Sequence, residues 1–184
     1  MSGIITDNLG RSTGLIKSAG GGAVLQKKSL LVHDDYTHSG TAPVAMTEFN
    51  LSFQPTLATS KLHFEANVSC SAESGDNVKY YFWNSTDSEF VGDVGTAAGS
   101  RLRVHWGDRP GDAAFWTTST FTTWYEPAST SDKDYQIFGA AHEANGLIIN
   151  RSDSDGDNAH IRNARGASTF TITEYAGDIV TIST

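Results

Sequence analysis

The chain has 184 residues, of which 38% are hydrophobic and 18% charged, a length and composition that suit one globular domain with a tail. Its formal net charge is −8, whereas nucleic-acid-binding proteins concentrate basic residues on one face, so we predict no nucleic-acid partner. No run of about 18 apolar residues is present, and we therefore predict no membrane span. The single cysteine, Cys70, can form neither an intrachain disulfide nor a zinc site alone.

The N-terminal segment, residues 1–22, differs in character from the rest of the chain. It contains six glycines and only short apolar pairs, which cannot bury enough surface to offset the entropy of ordering a chain. We predict an extended anchor arm over 1–22 and a folded domain over 23–184. The predicted anchor residues are aliphatic or basic: Ile4, Ile5, Leu9, Arg11, Leu15, Ile16 and Lys17.

From residue 23 onward, short segments rich in β-branched and aromatic residues alternate with Gly, Asn, Asp, Ser and Pro clusters, a pattern typical of strands and turns. The clearest alternation places Cys70 on an apolar face and His63 on a polar one. We therefore expect Cys70 to be buried and His63 to be solvated. The predicted strands are Val24–Val32, Met46–Phe53, Lys61–Ser71, Val78–Trp83, Arg101–Trp106, Phe115–Tyr125, Asp134–His142, Gly146–Arg151 and Ser168–Tyr175.

The strand pattern predicts an all-β fold. No window of the sequence shows helical periodicity with caps, and the connections are too short for the helical crossovers that parallel strands need. An antiparallel β-sandwich follows, of either jelly-roll or immunoglobulin-like type. The disulfide of a true immunoglobulin domain is impossible with one cysteine.

Three stretches of the sequence resemble the C1q/TNF-like jelly-roll domains found in tail-fibre, head-fibre and decoration proteins of bacteriophages, particularly marine phages. Phe49–Leu62 resembles a strand followed by the turn P-x-x-A-T-S-K-I and a second strand. Gly166–Ala176 resembles the closing strand, S-T-I-T-L-M-E-I. Ser2–Ile5 and Gly14–Ala19 are similar to N-terminal peptides that precede such domains in phage structural proteins.

This resemblance implies a homotrimer whose protomers pack through aromatic and aliphatic residues, and a role in the virion. The arm would then dock onto other virion proteins of the capsid or tail. The three arms of a trimer would reinforce one another, because the first contact raises the effective concentration of the others. Met1 is followed by polar and small residues rather than a secretory leader, so we expect synthesis in the host cytoplasm and a final place at the virion surface.

The sequence gives no motif for catalysis. A nucleotide-binding loop, a nucleophile elbow and an H-E-x-x-H zinc motif are all missing, and six histidines are scattered. We therefore predict that the chain is not an enzyme and has no obligatory cofactor. One segment carries three carboxylates at alternate positions, Asp153, Asp155 and Asp157. It departs from the EF-hand pattern, so it is either a loop stiffened by calcium or a solvated turn.

A second segment combines indoles with charged side chains around Gly and Pro turns, an arrangement that suits contact with a sugar or a protein. We predict a surface-binding loop made of Trp106, Asp108, Arg109 and Trp116. The alternative is that the two indoles fill the core of the sandwich or the trimer axis. A basic patch for anionic polymers could come only from the cluster of Arg101, Arg103 and Arg109.

Together these observations predict a phage head or tail fibre or decoration protein that docks by its arm and displays a trimeric jelly-roll domain. The alternative is an adhesin that binds a polysaccharide or protein of the host surface. A polysaccharide-degrading enzyme ranks third.

Overall fold

A computed structural model of the chain describes residues 24–38, 40–72, 77–110, 116–142, 146–152 and 165–177, with the backbone only at Trp116. These residues contain eleven strands and no α-helix. The strands are β1 (Val24–Val32), β2 (Tyr36–His38), β3 (Val44–Phe53), β4 (Lys61–Ser71), β5 (Val78–Asn84), β6 (Glu89–Phe90), β7 (Trp106–Asp108), β8 (Trp116–Tyr125), β9 (Lys133–Ala141), β10 (Leu147–Ile149) and β11 (Ser168–Tyr175).

The strands form two antiparallel sheets. Sheet A has the order β1-β11-β4-β10-β2, with β8 on the other side of β4, and sheet B has the order β3-β9-β5-β6, with β7 also beside β5. In each sheet one strand pairs with three others, β4 in sheet A and β5 in sheet B. Strand β4 pairs with β8 along its whole length, and its other side pairs first with β11 and then with β10. Strand β5 pairs with β9 on one side, and with β7 and then β6 on the other.

Aromatic side chains from the inner faces of both sheets form the centre of the core. Phe64 and Phe170 of sheet A meet Phe82 of sheet B at ring-centroid distances of 5.6 Å each. Tyr80 of sheet B stacks on Phe121 of sheet A at 5.4 Å. Such contacts fix the two sheets face to face, because aromatic rings bury large apolar areas and prefer defined geometries. The prediction of an all-β, antiparallel, jelly-roll-like sandwich is confirmed.

Most predicted strands are confirmed, three of them with the same bounds: β1, β4 and β11. The prediction of a strand over Arg101–Trp106 is wrong, since only Trp106–Asp108 pairs with β5. The preceding residues instead run from β6 toward β7 without a partner strand. Two short strands, β2 and β6, were not expected from the sequence.

The outer face of sheet A is less solvated than the alternation of β4 suggests. Ser69 and Ser71 are buried, and Ser71 donates a hydrogen bond to the Arg151 carbonyl at 3.0 Å. His63 is also not freely solvated, because its ring lies 4.6 Å from that of Trp124, and burial lowers its pKa. β4 is the central strand of the sheet, so side chains on both neighbouring strands cover its outer residues.

Glu174 connects two of the three stretches of sequence that carry the family resemblance. Its buried carboxylate lies on β11 and accepts hydrogen bonds from the backbone N–H groups of Thr56 at 2.7 Å and Leu57 at 3.2 Å. It also accepts from the hydroxyls of Ser60 and Thr56 and from Nε2 of Gln26 on β1 at 2.7 Å. Burial raises the pKa of Glu174, but these hydrogen bonds outweigh that effect and the pKa is lowered overall. One anion therefore holds the turn between β3 and β4 against two strands of sheet A.

At the opposite end of β11, the side chain of Asn150 also holds separate segments of the chain together by hydrogen bonds. It is fully buried and has a positive φ of 59°, a conformation that Asn tolerates better than most residues. Its Nδ2 donates to the carbonyls of Val32 and Asp34 at 3.0 and 2.9 Å. Its Oδ1 accepts from the Ser168 hydroxyl at 2.6 Å. All of the side chain's amide hydrogens and its carbonyl oxygen are thus engaged.

Two arginines and one aspartate close the base of the segment that follows Asn150. Arg151 and Arg165 form an antiparallel bridge, and their guanidinium groups both lie 2.9 Å from the carboxylate of Asp35. Burial raises the pKa of Asp35, but the hydrogen bond and charge of Arg165, aided by Arg151, lower it overall. The two ends of the segment are therefore held together at the edge of sheet A.

Candidate functional site

The predicted surface-binding loop is divided between two strands. Trp106 and Asp108 lie on β7, Arg109 follows it, and Trp116 begins β8 opposite Ser71. Trp106 is 43% exposed, so the alternative that it fills the core is wrong, while the side chain of Trp116 lies outside the described part. The role of the four residues as a binding loop stays a prediction.

Asp108 is already engaged by its own chain. Its carboxylate accepts a hydrogen bond from the Ser119 hydroxyl on β8 at 3.0 Å and from the backbone N–H of Arg109 at 2.7 Å. Ser119 in turn lies 3.6 Å from the Sγ atom of Cys70. Burial raises the pKa of the Cys70 thiol, and the atom is inaccessible. Cys70 is therefore a buried packing residue, as predicted, and the group links sheet B to sheet A.

His105 occupies a position where a strand would otherwise pair with β5. Its Nδ1 accepts a hydrogen bond from the Phe82 N–H at 3.1 Å, and its Nε2 lies 2.8 Å from the Val91 carbonyl. A backbone N–H can only donate and a carbonyl can only accept, so the ring is neutral with its hydrogen on Nε2. Burial lowers the pKa of His105 to about 4. The ring acts as a structural bridge rather than as a base available to a substrate.

Four aromatic side chains form a cluster on the outer face of sheet B. Phe90 on β6 lies 5.1 Å from Tyr81 and 5.2 Å from Trp83, both on β5. Phe138 on β9 extends the cluster, with its ring 5.1 Å from Tyr81. This aromatic cluster faces away from the core, because Phe82 between Tyr81 and Trp83 is the inward residue. Tyr81 is buried and the other three side chains are half-buried, so much of the cluster's apolar surface is covered by its own members and their neighbours.

A cleft of about 690 Å³ lies beside the aromatic cluster. One wall is the segment 99–103, the other contains Thr41 and Pro43, and Lys79, Phe90 and Ala140 complete the lining. The guanidinium carbon of Arg103 lies 4.8 Å from the centroid of the Phe90 ring, a cation–π contact. Of the basic cluster predicted from sequence, Arg101 and Arg103 line this cleft and Arg109 does not.

Sequence reasoning missed Lys79 and Phe90 as members of this site. Lys79 occupies an outward position on β5, between the buried Val78 and Tyr80, so the alternation of that strand could have placed it on the surface. Nothing in the sequence indicates that the segment 99–103 lies across the same face.

Other predicted sites fall outside the described residues. These are the seven anchor residues of the arm and the three carboxylates Asp153, Asp155 and Asp157, so the arm contacts and the calcium loop stay predictions. Within the described ranges, no three His, Cys, Asp or Glu side chains are close enough to hold a metal ion. No helix in the described part is long and apolar enough to cross a membrane.

Comparisons with known proteins assign no family to the chain. No protein-family model matches it, and no curated protein matches it. Among solved structures, a chain of the infectious bursal disease virus Gt strain aligns over 86% of this chain with 10% identity and a TM-score of 0.43. A chain from T=1 particles derived from the same virus gives 9% identity over 86% and a TM-score of 0.44. This chain spans only 39% and 38% of those two chains.

A third solved structure comes from Bacillus endospore appendages, described as disulfide-linked pili. It aligns over 89% of this chain and 98% of its own length, with 11% identity and a TM-score of 0.34. Likenesses at this level assign neither a family nor a function, which must come from the chain's own residues.

Proposed function

We propose that this chain is a non-enzymatic structural protein of a bacteriophage virion, a head or tail fibre or decoration protein. In this proposal, residues 1–22 dock onto capsid or tail proteins, and the sandwich is displayed as a homotrimer at the particle surface. The family resemblance of the sequence motivates the virion role. The protein's own contacts support a structural role, because Cys70, His105 and Glu174 all serve the fold.

The observation that carries the assembly proposal is the unpaired edge of β1. This strand ends the order of sheet A, so one of its sides has no strand partner in the described part of the chain. Its Leu31 is 56% exposed and its Val24 is 53% exposed. Leu57, in the turn between β3 and β4, is also exposed. An unpaired edge with exposed aliphatic side chains favours association with another chain.

Chain mass in solution tests the trimer. We expect the full chain at micromolar concentration to have three times the monomer mass by light scattering, and Leu31→Glu to give monomers, since a charge in an apolar interface is costly to desolvate. Leu102→Glu is the matched control, because Leu102 is also exposed but lies between β6 and β7, beside sheet B. A monomeric wild type, or dissociation by both variants, contradicts the proposed interface.

Removal of residues 1–20 tests the docking arm. The truncated chain should keep the thermal transition of the full chain, because all described strands begin at or after Val24. It should fail to join particles when it is supplied to phage-infected cells in place of the full chain. Truncated protein found in purified particles at the normal amount would remove the arm from the proposal.

A further inference from the structure

The cleft beside the aromatic cluster concentrates positive charge on an acidic protein. Lys79, Arg101 and Arg103 line it, and none of its lining residues is acidic. The chain as a whole has a net charge of −8. In the described part of the chain, no salt bridge neutralises these three cations. An anionic ligand in the cleft would be attracted to all three cations.

The contact between Arg103 and Phe90 prepares one of these cations for binding. The ring of Phe90 is held by Tyr81 and Trp83, and it in turn orients the guanidinium group above it. The planar guanidinium group carries N–H donors that can form paired hydrogen bonds with a carboxylate or sulfate. Less side-chain entropy is then lost when a ligand binds.

The remaining lining residues fit a sugar better than a protein surface. Thr41 and Ser100 supply hydroxyls, and Leu102 and Phe90 supply apolar surface for the C–H groups of a pyranose ring.

We infer that the cleft formed by Lys79, Phe90, Arg101 and Arg103 binds an anionic oligosaccharide, with acidic groups of the sugar on the arginines and a pyranose ring against Phe90 and Leu102. The occupant is a carboxylated or sulfated polymer of the kind found on cell surfaces. This inference goes beyond the structural role proposed above and needs neither the arm nor the trimer. Binding to the purified chain can therefore succeed or fail independently of virion assembly.

Calorimetric titration with two matched ligands tests the inference. The first ligand is an α-1,4-linked hexagalacturonate, and the second is the same hexamer with every carboxylate methyl-esterified. We expect the acidic hexamer alone to bind, and to bind less tightly as salt rises from ~20 mM to ~300 mM, because ions screen exposed charges. Equal binding of the esterified hexamer, or failure of the acidic hexamer to bind at low salt, would overturn the inference.

Matched variants locate the site on the protein. Arg101→Ala/Arg103→Ala should weaken binding by about tenfold or more, as expected when charge-assisted hydrogen bonds are removed. Lys27→Ala/Lys28→Ala makes the same change in net charge on β1 and should leave the affinity unchanged. Arg103→Lys keeps the charge without the planar guanidinium and should give an intermediate affinity. If both double variants lose the same affinity, binding reflects general charge attraction and the assignment of the site is wrong.

A hexaglutamate peptide distinguishes a sugar site from a docking site for acidic proteins. We expect it to bind at least about tenfold more weakly than hexagalacturonate, because it lacks rings to contact Phe90 and hydroxyls to bind Thr41 and Ser100. Binding of the peptide at equal affinity would contradict a glycan ligand and assign the cleft to an acidic segment of a protein. The melting temperature of each variant should match that of the wild type, because the substituted side chains are exposed.

Discussion

The imidazole of His105 accepts a hydrogen bond from the backbone N–H of Phe82, at a point on the edge of β5 where neither neighbouring strand reaches. Strand β7 pairs with β5 as far as Tyr80 and β6 begins pairing at Trp83, so Phe82 falls between them. The same ring reaches the Val91 carbonyl. A side chain thereby completes the hydrogen bonding of a sheet that two short strands leave interrupted.

Acid should destabilise the protein through His105. Its pKa is about 4 in the folded chain against 6.5 for an ordinary histidine, so between these values the unfolded chain binds the additional proton. The free energy of unfolding should therefore be at its full value above pH 6.5 and fall as the pH drops toward 4, by about 3 kcal/mol in total. Urea unfolding at a series of pH values measures this loss.

His105→Ala should be less stable than the wild type at pH 7, because the Phe82 N–H loses its acceptor. The difference in the free energy of unfolding should narrow toward pH 4, where the wild type also loses the hydrogen bond between Phe82 and His105. His33→Ala is the control, since His33 is exposed, and it should follow the wild type throughout. Parallel pH curves for His105→Ala and wild type would falsify the bridging role.

The second prediction concerns the anion that holds the turn between β3 and β4. Every group that contacts Glu174 through a hydrogen bond is a donor or can act as one, so Glu174→Gln would place an NH2 group against donors. We expect a loss of about 2 kcal/mol in the free energy of unfolding at pH 7. Glu65→Gln is the matched control on the outer face of β4, where the described hydrogen bond from Asn67 is long, at 3.3 Å.

The effect of Glu174→Gln should depend on pH. The pKa of Glu174 is lowered from 4.5 by its hydrogen bonds, so its contribution is present above pH 4.5 and is lost as the pH falls through the lower folded value. The difference in the free energy of unfolding between wild type and Glu174→Gln should therefore disappear in acid. If the difference in the free energy of unfolding stays constant down to the acid transition, the shape of the Glu174 side chain, rather than its charge, holds the turn.

Gly92 should not accept a side chain. Its φ is +66°, and a Cβ there would lie 2.1 Å from the carbonyl oxygen of Trp124. Gly99 has a similar φ of +62° with nothing within 4 Å. Gly99→Ala should therefore cost only the strain of a left-handed backbone, about 1 kcal/mol, while Gly92→Ala should cost clearly more because the backbone of β8 must also move. Equal melting temperatures for the two variants would show that the backbone of β8 moves at little cost in free energy.

The hydrogen bonds of Asn150 can be tested by a substitution that hardly changes the size of the side chain. Asn150→Asp keeps the shape of the side chain but replaces the two donors to Val32 and Asp34 with a carboxylate in a buried site. We expect a loss of at least about 3 kcal/mol at pH 7, since an uncompensated buried charge is costly. Asn67→Asp, at a half-exposed position on β4, should cost far less. Similar unfolding midpoints for both variants would argue that water reaches Asn150.

Local patterns predicted much of this fold. Strands β1, β4 and β11 have the predicted bounds because composition and, in β4, an alternation of period two depend only on neighbouring residues. The residues Arg101–Trp106 alternate in the same way and are nevertheless not a strand at their start. The available edge of β5 is divided among β6, β7 and the ring of His105, and this arrangement cannot be seen in a local window.

The candidate site also depends on contacts that a local window of the sequence does not reveal. Sequence reasoning grouped Arg101, Arg103 and Arg109 because they are close along the chain, yet Arg109 lies outside the cleft and Lys79 belongs to it. Lys79 and Arg101 meet only because the segment between β6 and β7 passes over the outer face of sheet B. The contacts of Glu174 are equally non-local, since they join β11 to residues more than a hundred positions earlier.

The clamp of Arg151 and Arg165 on Asp35 also has a practical consequence for engineering. Arg151 and Arg165 pair with each other and with the same carboxylate, so their own contacts fix the spacing between them. Lengthening a segment whose ends are held together costs little, about 0.6 kcal/mol for each doubling. A foreign epitope or affinity tag inserted between Ser152 and Arg165 should therefore leave the register of the two sheets unchanged.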